Sequence, residues 1–258
     1  MTAALPLDAP AETAGRPKLG WAVADGLTVT WRNLKGMTRV PEVIVLSTIQ
    51  PIIFVLTFRY VFGGAIAVPG DIDYVDFLMP GIFVQTVAFG AINTGVGLSE
   101  DLHQGLIERF RSLPMARSAV LSGRTAAGLV RNVLVVNLMV LVGFLVGFDF
   151  STNWLAFGGA IALLLLFGFA MSWVFGFIGL MAPNAEAAQA ASFPILAILV
   201  FASTSFVPTE TMPDWLQAYN EVQPVSVTVE AVRGLCLGGG PPRPGLVAVA
   251  RALGVIRV

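Results

Sequence analysis

The sequence predicts an all-α integral membrane protein: an N-terminal interfacial helix, then five full transmembrane helices and an incomplete sixth. Three observations predict it. Hydrophobic residues make up 56% of the 258 residues and charged residues only 12%, about half the charged share of an ordinary soluble domain. The apolar residues fall in runs long enough to cross about 30 Å of hydrocarbon at about 1.5 Å per residue. The charges sum to only -1 but are unevenly placed, and they gather between those runs, most densely in Ser99 to Ser118. The single cysteine, Cys236, permits no disulfide within the chain.

Residues 1–18 contain no apolar core of the kind a cleaved signal peptide needs, and their Pro/Ala-rich composition reads as a disordered cytoplasmic tail. The membrane domain is then 19–258. From Leu19 to Val40, Trp21, Val23, Leu27, Trp31 and Leu34 alternate with Arg32, Lys35 and Arg39. Trp with Lys and Arg on one segment suits a helix lying in the headgroup plane, an interfacial elbow, with an ordinary juxtamembrane linker as the plainer reading.

The spans follow at about 43–64, 77–98, 125–147, 154–183 and 187–207, with an incomplete sixth at 245–258. Arg59 near the end of the first is flanked by Tyr60 and Phe62, where it can snorkel to the interface. Gln85, Thr86, Asn93 and Thr94 lie inside the second, and such groups in hydrocarbon face a neighbouring helix or a cavity. Arg124 and Arg131 mark the first end of the third. The fourth is long enough to be tilted, broken or extended past the bilayer. Its small residues, Gly158, Gly159, Gly168, Gly176 and Gly179, favour close helix packing. Between the fifth and sixth, 207–234 contains two Pro-bounded pieces that read as short helices on the membrane surface. The final GLVAVARALGVIRV reaches only about 21 Å as a helix, with Arg251 in its middle.

Charge asymmetry orients these spans. Arg32, Lys35 and Arg39 precede the first, and Arg109, Arg111, Arg117 and Arg124 separate the second from the third. The loops carrying Asp71, Asp73, Asp76 and Asp149 have no Lys or Arg. By the positive-inside rule the basic segments and the N-terminus are cytoplasmic and the acidic loops external, in a plasma (inner) membrane. The loop at Ser99 to Ser118 is therefore cytoplasmic. Leu102, Leu106, Arg109/Phe110 and Leu113 recur there at helical spacing up to Pro114, so the segment is either a solvated connection or an amphipathic helix whose apolar face docks on a cytoplasmic partner.

The order of parts resembles the permease subunits of type-2 ABC transporters, particularly the daunorubicin-resistance-like exporter group. The matching stretches are Thr38-Arg39-Val40-Pro41 at the elbow junction and Tyr60-Val61-Phe62-Gly63-Gly64 at the end of the first span. Gly105 to Pro114 matches the loop after the second span, and Pro208 to Leu216, continuing through Asn220 to Arg233, matches the late loop. Gln223-Pro224 stands where the family usually has Asn-Pro. The likeness runs from Leu19 to Leu235, and the chain stops inside what would be the sixth span. The resemblance implies a homodimer of permeases with separate ATP-binding subunits that hold the ATP and Mg. It makes Leu106, Glu108, Arg109, Phe110, Arg111, Leu113 and Pro114 the ATPase-coupling helix, with Phe110 and Leu113 as apolar anchors. A candidate substrate path runs by Gln85, Phe89 and Asn93, and the substrates it implies are amphipathic drugs, lipids or similar small molecules moved outward.

The chain itself has no Gly-x-x-x-x-Gly-Lys-Ser/Thr loop, and its only lysines are Lys18 and Lys35. No catalytic residue, cofactor site, metal site or nucleic-acid partner is expected in it. An intramembrane hydrolase would need a base at membrane depth, yet the one histidine, His103, lies in the charged loop. A secondary transporter or channel would show ion-coupling charges within its spans or an inverted repeat; spans two, four and five have no charged residue and no repeat is evident. A non-transporting membrane scaffold is the remaining alternative.

Overall fold

The computed structural model describes residues 41–64, 66, 68, 72–105 and 117–238, with backbone only for 41–47 and 117–124. The expected tail, the elbow, the coupling segment from Leu106 to Pro114 and the incomplete sixth span lie outside the described residues. Within them the chain is a bundle of helices, with no strand. We number the α-helices α1 (Pro41–Thr57), α2 (Tyr74–His103), α3 (Arg117–Val146), α4 (Trp154–Met181), α5 (Ala185–Phe201), α6 (Asp214–Val222) and α7 (Pro224–Leu237).

Helix α2 is the centre of the bundle and packs on α1, α3, α4, α5 and α7. Most of its length is buried, whereas α3 and α4 bury a smaller share of their apolar surface and keep the rest outward. Leu78, Met79, Ile82, Phe83 and Val84 of α2 meet Met139 of α3, Leu164, Phe167 and Phe175 of α4 and Leu196 of α5 in one continuous core. The outward faces are apolar too: Leu134, Leu138, Leu141 and Leu145 form a stripe along α3. Exposed apolar surface at this density needs lipid or another protein against it.

Among the described residues α2, α3 from Thr125 and α4 are long and apolar enough to cross a membrane; Thr48–Phe62 and Ala185–Phe201 are shorter apolar helices. The element ends correct the expected spans. α2 begins at Tyr74 and runs to His103, so the first residues of the charged loop extend a membrane helix. His103 donates from Nδ1 to the Ser99 carbonyl at 2.8 Å within its last turn. Gly105, with φ +68°, ends the helix in the left-handed conformation that favours glycine. The first expected span continues past α1 as a π-helical turn, Phe58–Phe62. The fifth stops at Phe201, and 202–207 is a buried turn, not helix.

The helix starts follow ordinary capping chemistry. Asn153 accepts from the Ala156 N–H at 2.8 Å, and Asn184 from the Ala187 N–H at 2.7 Å. The long fourth helix is unbroken. Its glycines divide in role. A Cβ on Gly179 would land on the Gly95 carbonyl and one on Gly95 on the Phe175 carbonyl, whereas Gly158 and Gly159 face open space. Backbone-to-backbone approach of α2 and α4 therefore rests on Gly95 and Gly179, and among the described residues Gly158 and Gly159 make no such approach.

The two late helices differ from a pair lying on the surface. α6 is amphipathic and half exposed, but α7 is driven into the bundle, with Val225, Val229, Val232 and Cys236 fully buried against α2 and α4. Gln223 donates to the Asn220 side-chain oxygen at 2.9 Å, and Ser226 holds the Thr204 N–H at 3.2 Å, tying α6, α7 and the 202–207 turn together. Arg233 completes the join: it donates to the Phe77 carbonyl at 3.2 Å and the Thr204 carbonyl at 2.9 Å, with its guanidinium 3.7 Å over the Phe77 ring.

Candidate functional site: a polar cavity between four helices

A cavity of about 250 Å³ opens between α1, α2, α3 and α5. Helical spacing builds its wall. Gln85, Phe89, Asn93 and Val96 succeed one another at three- and four-residue steps, which puts them on one face of α2. That same face turns toward α3, where Arg131 and Val135 repeat the step, and toward Gln50 and Pro51 on α1 and Gln189 and Phe193 on α5. The cavity is amphipathic. Its lining combines the rings of Phe89 and Phe193, whose centroids are 5.9 Å apart, with amide side chains and one guanidinium.

Among the described residues, Arg131 is the only charged one on the lining. It is 9% exposed, on an apolar helix, and no carboxylate of the described residues lines the cavity with it. Its partner is an amide: with the Asn93 oxygen turned toward the cation, Nη1 donates to it at 3.1 Å and Nη2 at 3.2 Å. Gln85 is 2% exposed and its Oε1 has no donor. Thr86 uses its hydroxyl within α2, donating to the Ile82 carbonyl at 2.7 Å. Asn132, next to Arg131, fits between two glycines: a Cβ on Gly90 would come 2.6 Å from its Oδ1, and one on Gly168 2.9 Å from its Nδ2. These two glycines let α3 sit close enough to α2 and α4 to hold Arg131 against Asn93.

The three residues read from the sequence as a candidate path, Gln85, Phe89 and Asn93, are thus together on one wall. The sequence puts Arg131 at the first end of the third span; α3 begins at Arg117, so Arg131 falls near the middle of the helix and on the cavity lining. The signal was present in the sequence as an Arg-Asn pair inside an apolar run, since an ionisable residue at membrane depth is by default a functional group. Gln50 and Gln189 carried no such signal, because their convergence depends on how α1 and α5 pack. The coupling residues Leu106, Glu108, Arg109, Phe110, Arg111, Leu113 and Pro114 lie outside the described residues. Among the described residues no cluster of His, Cys, Asp or Glu is placed to hold a metal.

Residues 26–237 match the family model described as ABC-2 type transporter. The chain belongs to the ABC-2 type transporter family. It is similar, at 36% identity over 86% of this chain and 78% of the other, to the daunorubicin resistance ABC transporter permease protein DrrB1 of Streptomyces coeruleorubidus. It is 28% identical to the doxorubicin resistance ABC transporter permease protein DrrB of Mycobacterium tuberculosis (strain ATCC 25618 / H37Rv), over 74% of this chain and 69% of that protein. These relatives are membrane permease subunits by name, and this chain is a transmembrane permease of the ABC-2 type. The family match takes in both the cavity helices and the α6–α7 pair, so the site lies within the part of the chain that the family model covers.

Proposed function

We propose that this ABC-2 permease forms the membrane path of an ATP-driven exporter of amphipathic drugs, lipids or similar small molecules, energised by a separate ATPase docked on the 99–118 loop. The observation that carries the reading is the cavity: aromatic rings, amides and a guanidinium share one lining between four helices and suit a molecule with an apolar body and a polar head. The names of the relatives refer to daunorubicin and doxorubicin resistance, which supports a small amphipathic cargo without fixing the charge of its head.

In this reading five spans and an incomplete sixth cross the plasma membrane with the N-terminus in the cytoplasm, after an interfacial elbow at 19–40. Two copies of the permease pair, and each carries an ATPase that holds the ATP and Mg. Leu106, Phe110 and Leu113 give the coupling helix an apolar face, Glu108, Arg109 and Arg111 orient it by charge, and Pro114 stops it. α2 leads directly from that loop to Asn93, Phe89 and Gln85. Closure of the ATPases on ATP then tilts α2 as a rigid lever and shifts the cavity between inward and outward access.

Co-purification in detergent tests the docking. The chain is expected to retain a cognate ABC ATPase, and the Glu108→Ala/Phe110→Ala double variant, still monodisperse, is expected to lose it. A double variant that retains the ATPase as well as the wild type would refute the assigned coupling helix.

A further inference from the structure

Arg131 gives the cavity a sign. A guanidinium that is nine-tenths buried has left water, and its only described hydrogen-bond acceptor is the neutral oxygen of Asn93. Desolvated charge is costly unless an opposite charge or a full set of acceptors replaces the water. An amide oxygen supplies neither, and a guanidinium carries five donors in a planar fork suited to a carboxylate or phosphate. Beside it on the lining, Gln85 has a buried oxygen with no donor among the described residues. Buried polar groups are rarely left unpartnered, and those that are call for an explanation.

We propose that the cavity takes the anionic head of an amphiphile, a carboxylate or phosphate bound by Arg131. The proposal rests on the reading of this cavity as the export path and names the class of cargo. A volume of about 250 Å³ suits a head with its linker and not a whole drug-sized molecule, so the apolar tail lies along Phe89 and Phe193 and continues toward lipid. A cationic head is disfavoured, because it meets the guanidinium with no carboxylate of the described residues on the lining to offset it. The site therefore selects against amphipathic amines, the class to which daunorubicin and doxorubicin belong, so the cargo proposed for this chain differs in charge from the drugs in the relatives' names.

Equilibrium binding to the full-length chain in a zwitterionic detergent tests this without an ATPase. The probes are lysophosphatidylglycerol, which has a phosphate and free hydroxyls, lysophosphatidylcholine, whose phosphate is paired with a permanent cation, and dodecylamine. The glycerol head is expected to bind at least tenfold more tightly than either of the others. Arg131→Gln is expected to bring the three level, and Arg131→Lys to keep part of the preference. Asn93→Asp, which leaves the arginine in place and neutralises it, is expected to behave as Arg131→Gln, so the result does not depend on one variant folding. Equal binding of the three probes by the wild type, or a preference that survives both Arg131→Gln and Asn93→Asp, would overturn the proposal. Competition by inorganic phosphate at the same concentration as the lysolipid would overturn its amphiphile half, leaving a free-anion site. Failure of the export reading looks different: head selectivity would persist in detergent while ATP moved no lysolipid across a membrane in the presence of the ATPase.

Discussion

At the scale of single residues, the structure separates glycines that permit helix contact from glycines that merely occupy a helix. Gly179 and Gly95 are irreplaceable without moving a carbonyl, since any Cβ on either falls on the backbone of the opposite helix. Gly179→Ala is expected to destabilise the chain by about 1–3 kcal/mol through overpacking, visible as a lower midpoint in thermal unfolding followed by size exclusion. Gly158→Ala, on the same helix with nothing near its Cβ, is expected to be neutral or to stabilise by about 0.5–1 kcal/mol, the ordinary gain of alanine over glycine within a helix. Equal losses for the two would contradict the assigned α2–α4 contact. Arg233 offers a second case. Its fork reaches two carbonyls from different elements while its plane stacks on Phe77, an arrangement that lysine cannot copy. Arg233→Lys is therefore expected to cost about 1.5–3 kcal/mol, the range for hydrogen bonds made by a charged group, even though charge is preserved.

At the scale of elements, α1 is held to the end of α5 by a stack of rings. Phe58 lies on the π-helical turn with its centroid 4.5 Å from Phe206 and 5.3 Å from Phe62, and Phe206 in turn is 5.7 Å from Phe201. Phe206 is almost completely buried. Phe206→Ala is expected to cost about 3–5 kcal/mol and, in hydrogen exchange, to raise exchange in 58–62 and 197–207 more than in α2. Uniform loosening of the whole bundle would argue against a local clamp. This clamp was not legible in the sequence, for a physical reason: a π-helical turn leaves no periodic signature, and the 202–207 turn is apolar enough to extend the hydrophobic run of the fifth span. The same ambiguity made α2 look shorter than it is, because Glu100, Asp101 and His103 are polar whether they end a helix or begin a loop. α6 and α7 were readable as short helices from Pro213 and Pro224, which break the chain at their starts. The burial of α7 was not, since its valines alternate with Ser226, Thr228, Glu230 and Arg233, and only the packing of α2 and α4 against it turns that pattern inward.

At the scale of the whole molecule, the membrane character, the helical class and the α2 wall of the cavity were all visible in the sequence, because apolar runs and three- and four-residue spacing are local properties. What joins the wall to other helices is not local. Arg131 meets Asn93 only because α3 starts before the apolar run that marks its span and because Gly90 and Gly168 leave room for Asn132. A permease built this way uses α2 twice: as the most buried helix of the bundle and as the element that runs from the charged loop to the cavity. In the proposed function, energy delivered at that loop moves cargo through that cavity. The most direct measurement is ATP-dependent movement of a labelled lysophosphatidylglycerol in proteoliposomes containing the chain and its ATPase, comparing wild type with Gln189→Trp, an exposed rim position where a large ring obstructs the opening without disturbing the core. Gln189→Trp is expected to keep the ATPase bound and to lose at least tenfold in transport. Transport at the wild-type rate through the obstructed cavity would contradict it.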